Sequence, residues 1–205
     1  MFGLFHKKEQ KALELGAPVS GQAVPLQEVS DPTFGGEILG KGVAVRPTDG
    51  RIYAPADGEI TLLFDTLHAL SMTTDTGAEL LLHIGLDTVA LKGAHFKAHV
   101  KTGDKVRKGD LLLEADLKAI REAGYDVITP MIVCNTDCFA EVKAVTGAAF
   151  KIRGAFWICS IILLGLFCVP YIEGKSPVCL NGSGKITTAA PRPSTPPGPP
   201  ALPSG

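Results

Sequence analysis

Two of the five histidines in this chain, His68 and His83, stand at the ends of apolar, strand-like runs. The runs are Thr66-Leu67-His68-Ala69-Leu70-Ser71 and Leu80-Leu81-Leu82-His83-Ile84-Gly85-Leu86-Asp87-Thr88-Val89. An imidazole of ordinary pKa, about 6.5, is largely neutral at pH 7, and its hydrogen-free nitrogen offers a lone pair to phosphorus or to a metal. In an antiparallel sheet these residues fall on neighbouring strands joined through the Asp75–Gly77 turn, so their rings can meet on one face. Spacing alone leaves the commoner role open, that of a buried histidine bonded to backbone. His95 and His99 stand four apart, as helical metal ligands do, but the segment lacks helix signals and has lysines nearby.

The elements that must hold such a pair are strands. Val43–Arg46, Gly58–Phe64, Ala69–Thr74, Glu79–Ile84, Leu111–Ala115 and Val127–Val133 are each strand-sized. Turn signals at Thr48-Asp49-Gly50, Asp57-Gly58, Thr76-Gly77 and Lys108-Gly109-Asp110 separate them. This spacing predicts an all-β fold, an antiparallel β sandwich or barrel with one or two short helices. Leu117–Ala123 is the clearest helix, with Asp116 as N-cap and Gly124 as stop.

The 205 residues provide for one domain plus extensions, and 45% hydrophobic against 20% charged residues fits a globular body. Lysine and arginine number 20 against 21 acidic residues, a net charge of −1, so no basic excess exists to neutralise a phosphate backbone, and nucleic acid is not expected as a partner. Residues 1–17 mix Phe2, Leu4 and Phe5 with Lys7, Lys8 and Lys11, the composition of an amphipathic tail able to touch an anionic membrane. No signal-peptide run is present, which predicts a cytoplasmic body over residues 18–150. Residues 155–172 carry no charge before Glu173 and, if helical, reach about 27 Å, marginally enough to span a bilayer. Lys151 and Arg153 before them would keep the body on the cytoplasmic side. Residues 151–172 are therefore a candidate membrane anchor, and residues 173–205, rich in proline, a disordered tail. The five cysteines, at 134, 138, 159, 168 and 179, form no CxxC pair and suggest neither a disulfide framework nor a zinc site. Cys134 and Cys138 read as small strand residues.

Several segments carry a resemblance. They are Val24-Pro-Leu-Gln-Glu-Val-Ser-Asp-Pro-Thr-Phe34, Gly42-Val-Ala-Val-Arg-Pro-Thr48, Ala54-Pro-Ala-Asp-Gly58, Thr66-Leu-His68, Glu79-Leu-Leu-Leu-His83-Ile-Gly-Leu-Asp-Thr-Val89, Gly103-Asp-Lys-Val-Arg-Lys-Gly-Asp110 and Thr129-Pro-Met-Ile-Val133 with Asn135. Over about residues 19–145 the chain resembles the glucose-family IIA component of the bacterial phosphoenolpyruvate-dependent sugar phosphotransferase system. The resemblance implies a phosphoryl relay without cofactor. His83 would accept the group from the phosphohistidine of the carrier protein HPr and pass it to a cysteine of a IIB domain. His68 would steady the phosphoryl oxygens, and Thr66 would hold that ring's tautomer. Asp31 and Asp87 resemble rim carboxylates that meet a partner arginine, around an apolar docking face of Phe34, Leu81 and Val89; outside the family each reads as an ordinary turn or core residue. Some family members share a zinc ion between the two histidines and a partner carboxylate, which places any metal at His68 and His83. Regulated permeases or kinases are further partners of this kind of protein.

Two other readings compete: a regulatory binding protein of the same fold, and a biotinyl or lipoyl carrier module. Ala54-Pro-Ala-Asp-Gly58 and Thr102–Asp110 are similar to the hairpins of such modules, but the displayed lysine they need is missing: Met72 is followed by Thr73. Relatives close the domain with a further strand after residues 142–149, and here the sequence turns apolar instead. An altered C-terminus is the other reading of that region.

Overall fold

The computed structural model describes residues 13–147, 149–152, 159–165, 178–180 and 186–188. In chain order, β1 (Leu13–Gly16) and β2 (Gly21–Val24) precede a one-turn helix α1 (Pro32–Gly35). Next come β3 (Lys41–Pro47), β4 (Arg51–Tyr53), β5 (Gly58–Leu63), β6 (Ala69–Thr74) and β7 (Glu79–His83). Strands β8 (Phe96–Ala98), β9 (Lys105–Val106) and β10 (Leu111–Ala115) lead into helix α2 (Leu117–Glu122). After it follow β11 (Thr129–Val133), β12 (Phe139–Ala144), β13 (Ala149–Phe150), β14 (Cys159–Gly165), β15 (Val178–Leu180) and β16 (Ile186–Thr188).

An eight-stranded sheet runs in the order β13-β2-β3-β11-β7-β6-β5-β9, beside two three-stranded sheets, β4-β10-β8 and β1-β14-β12. Its pairings are antiparallel, as the hairpin-length connections require. The main core gathers Leu15, Val43, Ile52, Leu82, Leu112 and Met131, drawn from all three sheets. A smaller cluster of Leu26, Phe34, Leu86 and Ile132, with Ala44 and Ile128, lies around α1. Each β residue alternates faces. In β7, Leu80 and Leu82 enter the main core, whereas Leu81 packs on the smaller cluster.

That alternation decides where His83 goes. A one-residue slip of β7 would expose Leu80 and Leu82 and drive the imidazole inward. Exposing two buried leucines costs roughly 3–6 kcal/mol, several times the net value of one hydrogen bond. Asn135 reinforces the register: its side-chain oxygen accepts from Glu79 N at 3.0 Å and its amide donates to Gly77 O at 2.8 Å.

The expected helix is present, with the Asp116 carboxylate accepting from Lys118 N and Ala119 N as N-cap. Helix α1 is an addition that sequence periodicity cannot show in four residues. Asp31, rather than being a simple turn residue, caps it by accepting from Thr33 N at 2.7 Å, with Pro32 in the first turn.

Three expectations are corrected. The amphipathic tail does not extend to residue 17, because β1 is a strand and Leu15 is fully buried; residues 1–12 lie outside the described residues. The apolar segment is not helical over residues 159–165: that stretch is the central strand of its sheet, pairing with both β1 and β12. An uncharged run satisfies its backbone equally well between two strands, and here both neighbours have edges to offer. The remainder of 155–172 lies outside the described residues. Within the segment read as a disordered tail, Val178–Leu180 pairs with Ile186–Thr188 in a hairpin, and the rest of 173–205 is likewise outside them. Among the described residues no helix is long and apolar enough to cross a membrane.

The two cysteines read as strand residues sit otherwise. Cys134 lies just past β11, and Cys138 ends the 3-10 helix Thr136–Cys138 and is disulfide-bonded.

Leu163 pairs with Leu13 on one side and Val142 on the other, so Leu163→Pro breaks a central ladder. We expect thermal melting to shift down by about 5 °C or more. An unchanged midpoint would contradict the strand.

Candidate functional site

Strands β6 and β7 bring the histidines together. Ala69 pairs directly with His83, and Ile84 N donates to His68 O at 2.8 Å, so the backbones of the two residues are cross-linked. A methyl side chain opposite His83 leaves room for the ring of His68 to lean across. The two ring centroids are 5.0 Å apart and nearly perpendicular, at 81°.

The loop after β7 fixes the ring of His83. Its Nδ1 lies 2.7 Å from the carbonyl oxygen of Gly85. A carbonyl only accepts, so Nδ1 carries the hydrogen and Nε2 holds the lone pair. Gly85 reaches this position at φ +75, where a Cβ would lie 2.5 Å from Asp126 O and 2.6 Å from Thr88 Cγ2. Only glycine fits both the conformation and the space.

A tight turn fixes His68. Leu67 N donates to Phe64 O at 2.8 Å, and Leu67 itself sits in the left-handed region at φ 54. This curls the chain so that Thr66 Oγ1 comes within 2.6 Å of His68 Nδ1. With Nδ1 engaged by the hydroxyl, Nε2 is the nitrogen that His68 can offer to a ligand.

Aromatic rings flank the pair. Phe34 lies 5.0 Å from the ring of His83 and is buried, so it supports that imidazole from behind. Phe64 lies 5.3 Å from the ring of His68 and is 36% exposed. This apolar setting lowers the pKa of both histidines. His68 is pushed down to about 4, by burial first and by the neighbouring His83 second. His83 is also lowered by burial, opposed by the Gly85 carbonyl and by the charges of Asp31 and Asp87. Both rings are therefore neutral at pH 7.

The structure brings together His68, His83, Thr66 and Phe34 by direct contact, and Asp31 and Asp87 by their charge at His83. Leu81 is half-buried on the smaller cluster, and Val89, in the 3-10 helix Thr88–Leu91, is 51% exposed. Sequence reasoning missed Phe64 and Gly85. Phe64 reads as a strand end, although its place two residues before Thr66 is a usable signal; Gly85 reads as one glycine among many. His95 sits at φ 71 in a loop and His99 past β8, bonded to Glu114, so their spacing is not helical.

Two imidazoles supply half of the four ligands that a zinc ion takes. Among the described residues no group of three or more histidines, cysteines or carboxylates is placed to hold a metal. This chain alone does not fit a closed zinc site.

The model of the family described as phosphoenolpyruvate-dependent sugar phosphotransferase system, EIIA 1, matches residues 13–139. The chain is 47% identical over 137 residues to the glucose-specific EIIA component of Oceanobacillus iheyensis, a match covering 67% of this chain and 83% of that one. It is 48% identical over 131 residues to the beta-glucoside-specific EIIBCA component of Dickeya chrysanthemi, covering 64% of this chain and 21% of that longer protein. Its fold matches glucose permease IIA from Mycoplasma capricolum with a TM-score of 0.66 at 33% identity, covering 74% of this chain and 96% of that structure. Because the matched span takes in both histidines and the loops that orient them, the chain belongs to the EIIA type 1 family of the phosphoenolpyruvate-dependent sugar phosphotransferase system, the phosphoryl-relay components of bacterial sugar uptake.

Proposed function

We propose that His83 is the phosphoryl acceptor of the relay, reacting through Nε2, and that His68 stabilises the group in transit. The observation that carries this reading is the bond from His83 Nδ1 to the Gly85 carbonyl, which leaves Nε2 as the nucleophilic nitrogen beside a second imidazole. The donor is the phosphohistidine of HPr. As the Nε2 lone pair bonds to phosphorus, the phosphorus–nitrogen bond of the donor breaks and its electron pair returns to the donor ring. Positive charge then grows on the His83 ring, and the Gly85 carbonyl and the carboxylates of Asp31 and Asp87 favour it. The transition state is loose, so alignment and charge stabilisation contribute more than covalent assistance.

His68 has a complementary task. With the Thr66 hydroxyl donating to Nδ1, the ring hydrogen resides on Nε2 and can donate to a phosphoryl oxygen. In the second transfer a IIB cysteine thiolate attacks phosphorus and His83 leaves with its electron pair. The relatives named EIIBCA components support a IIB domain as recipient. Exposed Phe64 and Val89 give a docking partner apolar surface beside the histidines, and the carboxylates at the rim favour a partner that brings a cation.

His83→Gln should take no acid-labile phosphate from phospho-HPr, and full labelling of that variant would refute the assignment. His68→Gln should still accept phosphate, with donation to a IIB domain slowed about 10²-fold or more, the scale of losing one charge-stabilising donor. Undiminished donation would remove His68 from the mechanism.

Both imidazoles titrate below 6.5, so acceptance measured in a single turnover should begin to fall only at a pH below the one at which a free imidazole would lose its lone pair. A rate that halves at about pH 6.5 or above would contradict the lowered value of His83. The same shifts act on stability: between about 4 and 6.5 the unfolded chain binds more protons at His68 than the folded one does. The contribution of His68 is therefore fully present above pH 6.5 and is lost as pH falls through about 4. Chemical denaturation at pH 7 and pH 5 should show lower stability at pH 5, by less in His68→Gln than in the parent protein.

A further inference from the structure

Thr88 belongs to the motif that carries His83, yet neither its type nor its place marks it for contact with a phosphoryl group. It is fully buried, and its hydroxyl donates to Ile84 O at 2.6 Å, four residues back. The Ile84 carbonyl belongs to the peptide unit whose N–H is that of Gly85. That N–H donates to Ile128 O at 3.1 Å. The Ile84–Gly85 peptide plane is thus held at both ends, by a side-chain hydroxyl on its oxygen and by Ile128, the residue before β11, on its nitrogen. The next plane is held as well, since Leu86 N donates to Asp126 O at 2.9 Å while the Gly85 oxygen faces His83 Nδ1.

A glycine at φ +75 has broad freedom of its own, and nothing intrinsic to Gly85 aims its carbonyl at His83. We propose that Thr88 is a positioning residue for the phosphoryl relay: its hydroxyl locks the Ile84–Gly85 peptide plane and so aims the Gly85 carbonyl that sets the tautomer of His83. The lock reaches the second histidine too, because the same residue, Ile84, donates its N–H to His68 O. Removing the hydroxyl leaves a buried carbonyl without its side-chain donor and allows the plane to rotate. The Gly85 carbonyl, with only the Leu86 N to Asp126 O bond left to orient its plane from the far side, loses its fixed aim at Nδ1, and the ring samples the tautomer whose hydrogen is on Nε2, which is no nucleophile at that nitrogen.

This inference rests on His83 as the acceptor, and the test separates the two. Thr88→Val keeps the shape and deletes the donor, Thr88→Ser keeps the donor, and Thr88→Ala deletes it without pressing a methyl group on Ile84 O. The 205-residue chains are labelled with 15N-histidine, and the ring-nitrogen shifts at pH 7 report the tautomer of His83. Single-turnover acceptance from phospho-HPr is measured on the same samples. Thr88→Val and Thr88→Ala should each show a mixed tautomer and acceptance slowed about 10- to 100-fold at saturating donor, with the half-saturating donor concentration unchanged. Thr88→Ser should recover the single tautomer and a rate within about threefold of the parent. A single Nδ1–H tautomer in Thr88→Ala overturns the inference, as does a mixed tautomer in Thr88→Ser; should Thr88→Val not fold, Thr88→Ala and Thr88→Ser decide it. Failure of the parent protein to take phosphate on His83 would overturn the acceptor assignment instead, while the tautomer comparison would still decide the role of Thr88 as a lock on that ring.

Discussion

One contact, from His83 Nδ1 to the carbonyl oxygen of Gly85 at 2.7 Å, settles which nitrogen of that ring holds the lone pair, and the surrounding fold is arranged to keep it. A neutral imidazole in water exchanges its hydrogen between two nitrogens, and the acceptor role proposed for His83 needs that ambiguity removed. The carbonyl removes it without adding a formal charge. A carboxylate at the same place would hold the tautomer too, but it would pull the ring toward the cation and oppose the effect of burial. The charged groups, Asp31 and Asp87, act on His83 through their field rather than through that bond.

The sheet supplies what a loop could not. Strand β7 is hydrogen-bonded on one side to β6 and on the other to β11, and its inward leucines fix its register by burial. The segment leading into β11, the strand that pairs with β7, also provides Asp126 and Ile128 as acceptors for the loop after His83. Orientation of the His83 ring is thus a by-product of core formation, and mutations that loosen the core would reach the site through these backbone bonds. The second ring is held by a different device, a tight turn with Leu67 in the left-handed region, which places Thr66 and His68 side by side. Strain of about 1–3 kcal/mol at such a residue is tolerable only where the neighbours over-determine the conformation.

Much of this was legible in the sequence, for identifiable reasons. Short apolar, strand-sized runs bounded by turn signals gave β6 and β7 almost to the residue, and an aspartate before a helical run with a glycine stop gave α2 with its cap. The pairing of histidines 68 and 83 followed from two strands joined by a short turn. The family resemblance singled out Thr66, Asp31 and Asp87, which spacing could not, and they lie around the histidines. What escaped were features with no periodic signature: the single turn α1, the left-handed Leu67, and a glycine whose carbonyl matters more than its missing side chain. The apolar run at 159–165 misled for another reason. An uncharged stretch satisfies a lipid environment and a central strand alike, and only the unpaired edges of β1 and β12, separated from it in sequence, distinguish the two.

The central claim concerns one nitrogen atom, and it is tested most directly by two-dimensional 15N NMR of the phosphorylated protein with 31P coupling. Phosphorus coupled to Nε2 of His83, with the hydrogen retained on Nδ1, is the predicted result. Coupling to Nδ1 of His83, or to either nitrogen of His68, would contradict the account.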